Sequence, residues 1–414
     1  MKDPIESSQD TTEGTVDRRR LVANFIVISI SLLAVGIVRP GVLVVTAVLS
    51  SIVLMIMLHE LGHFVMAKRA GMKVTEYFLG FGPRVWSFRR GETEYGIKAI
   101  PAGGYVRIIG MNNLEEVDPV DEPRTYRAQA YRHRLGVAVA GSTVHFILAV
   151  TLGFIVFAFV GEVRDTRPPV VDNVIEGTPA VAAGLRTGDV IVGVDGREVR
   201  EWMQVVDYIR PRAGDEIAFT ILRDGREREI RVVPKSTRSP SGKSVGFVGL
   251  GVSTYNDPMP VPTAARESVT RSVTLARDSL TTLGDFFTPS GIQRYWDVVT
   301  TGKSEPTDTR FLSPIGAGRV AGQAAGSGWG EVLGLLAAIN VFVGVFNMVP
   351  LLPLDGGHVA IATYEKIAST IGRRRVVVDV TRLMPITVAV LAVFVLLGLT
   401  SLYLDVVDPI PNPY

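Results

Sequence analysis

Five long apolar runs divide this sequence, and they restrict its fold more than any other feature. A helix crosses the apolar core of a bilayer with roughly 20 residues, and runs of about 17 to 25 can do so. Hydrophobic residues make up 47% of the chain, as expected for several spans. The sequence therefore predicts a polytopic α-helical membrane protein with spans at Leu21–Val38, Val42–Val65, Gly136–Val160, Val332–Leu352 and Met384–Leu404.

The first of these runs is the weakest. It is short, and it contains Asn24, Ser29 and Ser31. A cleaved signal peptide is the alternative, but the preceding segment is long and partly acidic, and no A-x-A cleavage site follows the run. We therefore expect residues 1–41 to hold a cytoplasmic N-terminus and an extra transmembrane helix.

The charge balance and the cysteine content exclude several classes of protein. The chain has a formal net charge of +2 and no cysteine. The small net charge argues against nucleic acid as a partner. Without cysteine, neither a disulfide framework nor a thiolate zinc site can form. Any zinc site must therefore use histidine and carboxylate ligands.

The second apolar run leads directly into an H-E-x-x-H motif, His59-Glu60-Leu61-Gly62-His63. Residues four apart share one face of a helix, so His59 and His63 can bind the same metal ion. Glu60 can then act as a base on a water molecule bound to that ion. Ionisable groups at membrane depth cost free energy and usually mark function. The motif therefore predicts a zinc site inside a membrane.

A catalytic zinc usually takes three protein ligands, and Asp355 is the candidate for the third. It lies in Asn347–His358, where Pro350 and Pro353 prevent a regular helix. Broken backbone at membrane depth is tolerated only where it lines protein or a wet cavity. Asp355 could instead cap a helix that starts near His358. The segment alone leaves both interpretations open, and the presence of HELGH favours the ligand role.

Basic residues predict the orientation in the membrane. Arg18–Arg20, the loop Lys68–Arg134 and Arg373–Arg375 are rich in positive charge, which is typical of the cytoplasmic side. Alternation of the five spans then places Gly161–Gly328 and the C-terminus outside the cytoplasm. The His59/His63 site is expected toward the cytoplasmic end of its helix.

Residues 168–236 are predicted to form a separate β-rich domain. Strands are expected at Val170–Ile175, Asp189–Val194, Glu216–Arg223 and Glu227–Val233, and helices at Pro179–Ala183 and Trp202–Ile209. Asp224-Gly225 predicts a hairpin turn. With G-T-P-A-x-x-A-G-L-x-x-G-D-V-I at Gly177–Ile191, the pattern resembles a PDZ domain of the bacterial protease-associated type; an unrelated small β-rich domain is the alternative. Such domains bind extended peptides or chain ends at a sheet edge.

The sequence predicts an extracytoplasmic linker over residues 237–330. Val245–Val252 has the composition of a strand. Pro262–Phe287 has helical spacing of apolar residues, and it fits either an amphipathic helix at the membrane surface or a solvated helix. Thr288–Ser327 is rich in small residues and indicates no particular chemistry.

Taken together, these motifs resemble the site-2 protease family of intramembrane zinc metalloproteases. The resemblance is strongest to the bacterial branch that cleaves anti-sigma factors and signal-peptide remnants, in its actinobacterial single-PDZ form. It covers about residues 42–410, and it implies a four-helix protease core with halves at 42–160 and 331–414. The motifs that carry it, besides HELGH and N-x-x-P-x-x-P-L-D-G-G-H, are F-L-G-F-G-P at Phe78–Pro83, G-E-T-E-Y-G-I-K at Gly91–Lys98 and I-P-A-G-G-Y-V at Ile100–Val106.

The resemblance also implies roles for individual residues. His59, His63 and Asp355 are expected to bind Zn²⁺, and Glu60 to activate the water. Asn347 is expected to hold the substrate or to steady the oxyanion. The stretch Tyr95–Ile109 is expected to form a membrane-entering β-hairpin that pairs with an unwound substrate. The residues expected to contact substrate in that hairpin are Gly103 and Gly104, at its bend, and Tyr105.

By the same resemblance, the substrates are expected to be single-span membrane proteins such as anti-sigma factors. An upstream site-1 protease is expected to shorten them outside the membrane before this protein acts. The protein is expected to be a multi-pass protein of the cell membrane, in contact with lipid, with its PDZ domain extracytoplasmic and its active site toward the cytoplasm.

Two positions depart from the family pattern. Leu352 stands where relatives usually have a proline, with Pro353 next. His145 stands in a span where the family has an asparagine, so it either approaches the zinc as an extra ligand or second-shell donor, or makes the hydrogen bond of that asparagine. The second interpretation is favoured. His358 is expected to start a helix or to lie next to the ligands.

Two functions of other classes remain as alternatives. A zinc transporter would need further intramembrane ligands, and the sequence offers only His145. A non-catalytic scaffold that holds peptides through a PDZ domain would have no reason to keep Glu60. Both alternatives are therefore disfavoured.

Overall fold

The computed structural model describes residues 40–111, 115–238, 244–302, 311 and 313–408. The chain forms two compact units. The inserted unit is Ile155–Ala264, and the split unit consists of the residues before and after it. The predicted domain 168–236 lies inside the inserted unit, which extends past it at both ends. The predicted first span, Leu21–Val38, lies outside the described residues.

The elements follow one another in this order. Before the insertion lie α1 (Pro40–Arg69), β1 (Val74–Arg90), β2 (Thr93–Ile108) and α2 (Tyr131–Ile155), which continues as a π-helical turn to Val160. The next elements are β3 (Glu162–Asp165), β4 (Val171–Val174), α3 (Pro179–Ala183), β5 (Val190–Val194), β6 (Arg197–Glu198), α4 (Trp202–Ile209), β7 (Ile217–Arg223), β8 (Arg226–Val232), β9 (Lys235–Arg238), β10 (Ser244–Phe247), β11 (Leu250–Val252) and β12 (Thr254–Asp257). The last are α5 (Val261–Phe286), α6 (Pro289–Thr301), α7 (Pro314–Ser327), α8 (Trp329–Asn347), α9 (Asp355–Gly372) and α10 (Met384–Val407).

Four helical segments of the described chain are long and apolar enough to cross a membrane. They are Val45–Arg69, Tyr131–Val160, Trp329–Asn347 and Val380–Val407. Each overlaps one of the last four predicted spans, which confirms the membrane-protein prediction for this part of the chain.

The predicted boundaries around Asp355 were wrong at two points. The predicted span Val332–Leu352 continues too far, because α8 ends at Asn347, ahead of Pro350, which cannot extend a helix. The following helix was expected to start near His358. It starts at Asp355, which lies in its first turn.

Helices α1 and α2 cross closely because each has a glycine at the contact. A Cβ on Gly62 would lie 2.9 Å from the carbonyl oxygen of Ala140. A Cβ on Gly141 would lie 2.3 Å from Cε1 of His59. Small residues allow membrane helices to approach each other in this way. The ring of His59 therefore lies against the backbone of α2.

Helix α7 is packed among the spans, so the prediction of a linker over 237–330 was wrong for this part. Ala321 and Ala324 of α7 are buried with Val48 of α1 and Leu336 of α8. The carboxylate of Asp405, at the end of α10, accepts a hydrogen bond of 2.7 Å from the N–H at the N-cap of α7. A negative charge is favourable at a helix N-terminus.

Strands β1 and β2 form a sheet that differs from the predicted hairpin. The first half of β1 pairs with both halves of β2, so that Phe78 lies opposite Tyr105 and also opposite Gly96. The two halves of β2 are therefore separated by β1, and the expected direct pairing within Tyr95–Ile109 was wrong. The partner changes between Ile100 and Gly104, where Gly103 has a φ of 129°. We call residues Gly104–Ile108, which pair on one side only among the described strands, the edge segment.

The inserted unit contains a four-stranded antiparallel sheet in the order β6-β5-β7-β8. Both predicted helices are confirmed with their bounds, as α3 and α4. The hairpin predicted around Asp224-Gly225 is also confirmed, between β7 and β8. Its turn residues Asp224 and Gly225 have φ values of 54° and 73°, as a two-residue hairpin turn requires. The predicted strand Val245–Val252 is interrupted at Val248-Gly249, which separates β10 from β11.

The predicted helix Pro262–Phe287 is confirmed as α5. In the split unit its Leu283 is buried with Ala149 of α2 and Val341 of α8. Val269, Val273 and Leu280 of the same helix are exposed. Its position at a membrane surface stays a prediction.

A buried ion pair fixes the centre of the inserted unit. The side chain of Asp189 is 1% exposed, and it accepts hydrogen bonds of 2.6 and 2.7 Å from the Arg223 guanidinium. Burial alone would raise the pKa of Asp189, but the bonds from Arg223 and from the Arg186 N–H outweigh it and hold this pKa below its usual value. The pair therefore contributes stability above about pH 4, and this contribution is lost as the pH falls through the folded-state pKa.

We expect Asp189→Asn to destabilise the inserted unit, because it leaves Arg223 without its counter-charge. Breaking a buried pair costs about 3 kcal/mol, or roughly a 100-fold change in an opening equilibrium. Amide hydrogen exchange of β5 and β7 in the full chain measures this directly. Glu229→Gln is the control, because its pair with Arg231 is exposed and should change exchange by less than about 5-fold. Equal exchange rates in both variants would contradict the assignment.

Candidate metal centre

Three potential ligand atoms meet between α1 and α9. The Nε2 atoms of His59 and His63 are 3.1 Å apart. An oxygen of Asp355 lies 3.4 Å from Nε2 of His59 and 3.3 Å from Nε2 of His63. Both histidines are buried, with 8% and 7% of their surface exposed. The three residues form a candidate metal-binding group.

The local sequence explains how α1 presents the two imidazoles. His59 and His63 lie one helical turn apart on one face. Nδ1 of His63 is 2.7 Å from the carbonyl oxygen of Val137 on α2. A carbonyl only accepts, so Nδ1 of His63 carries the proton and its Nε2 is left with a lone pair for a metal.

Two glycines explain how α9 presents Asp355. A Cβ on Gly356 would lie 2.3 Å from the carbonyl oxygen of Met348, and one on Gly357 would lie 2.7 Å from the backbone nitrogen of Leu352. The turn between α8 and α9 is therefore too tight for any side chain at these two positions. Asp355 is held in the first turn of α9 as a consequence.

The dimensions of this group fit zinc. Bonds of about 2.0–2.1 Å in a tetrahedron place neighbouring ligand atoms roughly 3.3 Å apart, and the observed separations are 3.1, 3.3 and 3.4 Å. The Asp355 oxygen nearest the histidines is buried and lacks a hydrogen-bond partner. Converging lone pairs repel one another unless a cation lies between them. Two imidazoles and one carboxylate are also a ligand set of catalytic zinc sites.

Glu60 lies beside the edge segment. Its Cγ is 3.5 Å from the position that a Cβ on Gly104 would take, and Sδ of Met57 would be only 2.7 Å from that Cβ. The hydroxyl of Tyr77 on β1 donates a hydrogen bond of 2.8 Å to the carbonyl of Met57. Burial, and then the Glu60 carboxylate, raise the pKa of Tyr77 to about 12, so this hydroxyl keeps its proton at neutral pH. The sheet is thus attached to α1 one turn from Glu60.

The other residues predicted to contact substrate are placed less directly. Asn347 is the last residue of α8 and is half-buried. Gly103 lies next to the ring of Phe81. The hydroxyl of Tyr105 donates a hydrogen bond to the carboxylate of Glu76 on β1. The side chain of Tyr105 is therefore bonded within the sheet, and it is the backbone of this residue that forms part of the edge segment. His358 lies on α9 with its ring 6.1 Å from that of Tyr126, outside the three-residue group.

His145 lies beside the group without belonging to it. Its ring centroid is 5.1 Å from that of His59. Its Nδ1 is 2.8 Å from Oδ1 of Asn340 on α8. Asn340 is fully buried, and the sequence analysis did not identify it. The available signal was an amide in an apolar run, seven residues and two turns before Asn347 and hence on the same helix face.

The arrangement can therefore hold one divalent cation at a buried point that has a carboxylate, Glu60, next to the first ligand. Three protein ligands leave a coordination position for water or substrate. A base, an open metal position and a strand such as the edge segment, which pairs on one side only among the described strands, are the components that hydrolysis of an extended peptide requires.

Comparisons with known proteins agree with this geometry. The sequence profile of peptidase family M50 matches residues 47–394. The zinc metalloprotease Rip1 of Mycobacterium tuberculosis is 31% identical over 400 residues, covering 87% of this chain and 96% of that protein. Rip1 of Mycolicibacterium smegmatis is 33% identical over 399 residues, with the same coverage.

A solved structure, the PDZ domain of the SdrC-like protein from Listeria monocytogenes, matches 21% of this chain and 87% of that domain, at 22% identity and a TM-score of 0.18.

The family match extends over most of the described chain, including all three residues of the candidate group. The chain therefore belongs to peptidase family M50, the site-2 protease family, and it is a membrane zinc metalloprotease.

Proposed function

We propose that this protease cleaves a peptide bond within or near the transmembrane segment of single-span membrane proteins. The observation that carries the proposal is the triangle of Nε2, Nε2 and carboxylate oxygen, with sides of 3.1–3.4 Å, in which both histidines belong to a helix long and apolar enough to span a membrane. His59, His63 and Asp355 would hold the zinc. Bound zinc lowers the pKa of a coordinated water to about 7 and polarises a carbonyl group.

Glu60 would accept the proton of the attacking water and transfer it to the leaving amine. It is half-buried and is adjacent in sequence to His59. Its position beside Gly104 places it next to the edge segment. Asn347, at the end of α8, would stabilise the oxyanion or hold the substrate.

The edge segment would bind the substrate by strand addition, since it pairs on one side only among the described strands. A helical peptide bond is shielded by its own hydrogen bonds, so the substrate must unwind before attack. The same sheet exposes several large apolar side chains, which suits contact with lipid. These are Phe81, Trp86, Phe88 and Ile100.

The remaining expectations belong to the same proposal. The protein would lie in the cell membrane with its metal centre toward the cytoplasm and its inserted unit outside. Its substrates would include anti-sigma factors and signal-peptide remnants, shortened first by another protease. The inserted unit would act as a PDZ domain that reads the new chain end or excludes untrimmed substrates.

A groove in the inserted unit supports the proposal that this unit binds the new chain end of a substrate. One side is formed by Trp202 and Val206 of α4, and the other by Phe247 of β10 and Leu250 of β11, which pairs only with β4 among the described strands. The described residues that line this groove include three cations and no acidic residue. The cations are Arg210, Lys235 and Arg238. An extended peptide with acidic side chains near a free carboxyl end fits this charge pattern.

We predict that Glu60→Gln strongly slows cleavage while zinc stays bound, because the amide cannot take the proton but leaves the three ligands in place. The rate should fall by about 10²- to 10⁴-fold. The measurements are cleavage of a trimmed single-span protein by the purified enzyme in detergent, and zinc content by elemental analysis. Glu227→Gln, at an exposed position of β8, is the control and should cleave normally. Undiminished cleavage by Glu60→Gln would refute the proposed mechanism.

We also predict that Arg210→Glu together with Lys235→Glu weakens binding of acidic peptides. The probes are two seven-residue peptides with the same apolar C-terminal residue, one with acidic and one with basic side chains before it. The acidic peptide should lose about 10-fold in affinity for the full-length variant, and more at low ionic strength. Arg226→Glu, on the exposed surface of β8, is the matched control. If the wild type binds both peptides equally, the charge assignment is wrong.

A further inference from the structure

His145 is buried where three membrane helices meet. It is 2% exposed, and it follows Gly141, which lies under the ring of His59, by one turn of α2. A Cβ on Gly344 of α8 would lie 3.2 Å from the Cβ of His145. A glycine at this point of α8 therefore gives the imidazole its space.

Asn340 determines which nitrogen of His145 carries the proton. Nδ2 of Asn340 donates to the carbonyl of Leu336 at 2.8 Å, and it is 2.9 Å from Sδ of Met55 on α1. Its Oδ1 is thus the atom that faces Nδ1 of His145, at 2.8 Å. An amide oxygen only accepts, so Nδ1 of His145 is the donor. In a neutral imidazole the other nitrogen, Nε2, is then an acceptor.

His59 needs a hydrogen-bond acceptor for its second ring nitrogen, Nδ1. Its Nε2 points at the other two ligand atoms. Its Nδ1 is buried against the backbone of Gly141 and makes no hydrogen bond of standard geometry. A metal-binding histidine normally donates its second N–H to an acceptor, which fixes the ring and makes it a better ligand. An N–H···N bond of about 2.9 Å between two imidazoles corresponds to ring centroids roughly 5.1 Å apart. The observed separation of His59 and His145 is 5.1 Å, with the rings tilted by 44°.

We propose that His145 is a positioning residue for the zinc ligand His59, and that Asn340 holds His145 in the tautomer this role requires. Oδ1 of Asn340 accepts from Nδ1 of His145, and Nε2 of His145 accepts from Nδ1 of His59 after a small rotation of the rings. His145 is therefore not a fourth ligand. The inference rests on the proposed ligand role of His59.

The test is the zinc affinity of the purified full-length protein, measured by competition with a chelator in detergent. His145→Phe keeps a ring in the space but removes both nitrogens, and it should weaken zinc binding by about 10- to 100-fold. His145→Gln keeps an amide able to donate and accept, and it should recover most of the loss. His133→Phe, twelve residues earlier on the same helix, is the matched control and should bind zinc like the wild type.

Asn340→Leu tests whether Asn340 holds His145 in the required tautomer. It should weaken zinc binding less than His145→Phe, and adding it to His145→Phe should have little further effect, because both act through one chain of hydrogen bonds. Thermal unfolding of the zinc-free proteins separates this role from packing. A purely structural role would lower stability alike in the Phe and Gln variants without separating their zinc affinities.

The results discriminate between this inference and the proposed ligand set. Wild-type affinity in a folded His145→Phe protein would overturn the positioning role alone. His59→Ala should lose zinc entirely, and if it does not, the ligand set itself is wrong. Should His145→Phe fail to fold, His145→Ala takes its place. Weakened zinc binding in His145→Ala that is largely restored in His145→Gln would support the inference, and wild-type affinity in a folded His145→Ala protein would refute it.

Discussion

The structure depends on one constraint: lone pairs from two distant parts of the chain converge at a buried point beside a helix that is long and apolar enough to span a membrane. His59 and His63 on α1 and Asp355 on α9 lie within 3.4 Å of one another. Without a cation, such an arrangement costs both desolvation and mutual repulsion. With one, the same lone pairs are attracted to a common positive charge. Metal binding and the packing of α1 against α9 therefore depend on the same three residues.

Glycine makes this convergence sterically possible. Gly62 and Gly141 let α1 and α2 approach until the ring of His59 lies on the backbone of α2, and Gly356 permits the tight turn before α9. Each of these contacts is shorter than a side chain would allow. The glycine in HELGH thus has a packing role that is separate from the chemistry of its neighbours.

Much of the site could be predicted from the sequence because its signals are local. HELGH gives two ligands through helical periodicity, and the prolines and glycines around Asp355 indicate a broken segment that suits a third. The bounds of α3 and α4 and the Asp224-Gly225 hairpin also follow from short-range patterns.

The errors concern non-local pairing. The order of segments in the β1/β2 sheet depends on which strands meet after two turns, and nothing in Tyr95–Ile109 itself reveals that β1 lies between its two halves. Helix α7 is rich in glycine and alanine, which suggests a linker in isolation but allows close packing against α1 and α8. The partner of His145 was missed for the same reason, since Asn340 is 195 residues away in the sequence.

Zinc K-edge X-ray absorption of the purified wild-type protein tests the central claim most directly. The account predicts one zinc per chain, bound by two imidazole nitrogens and by oxygen at about 2.0–2.1 Å, because His59 and His63 ligate while His145 does not. A spectrum that requires three imidazoles, or a folded protein that binds no stoichiometric zinc, would contradict it.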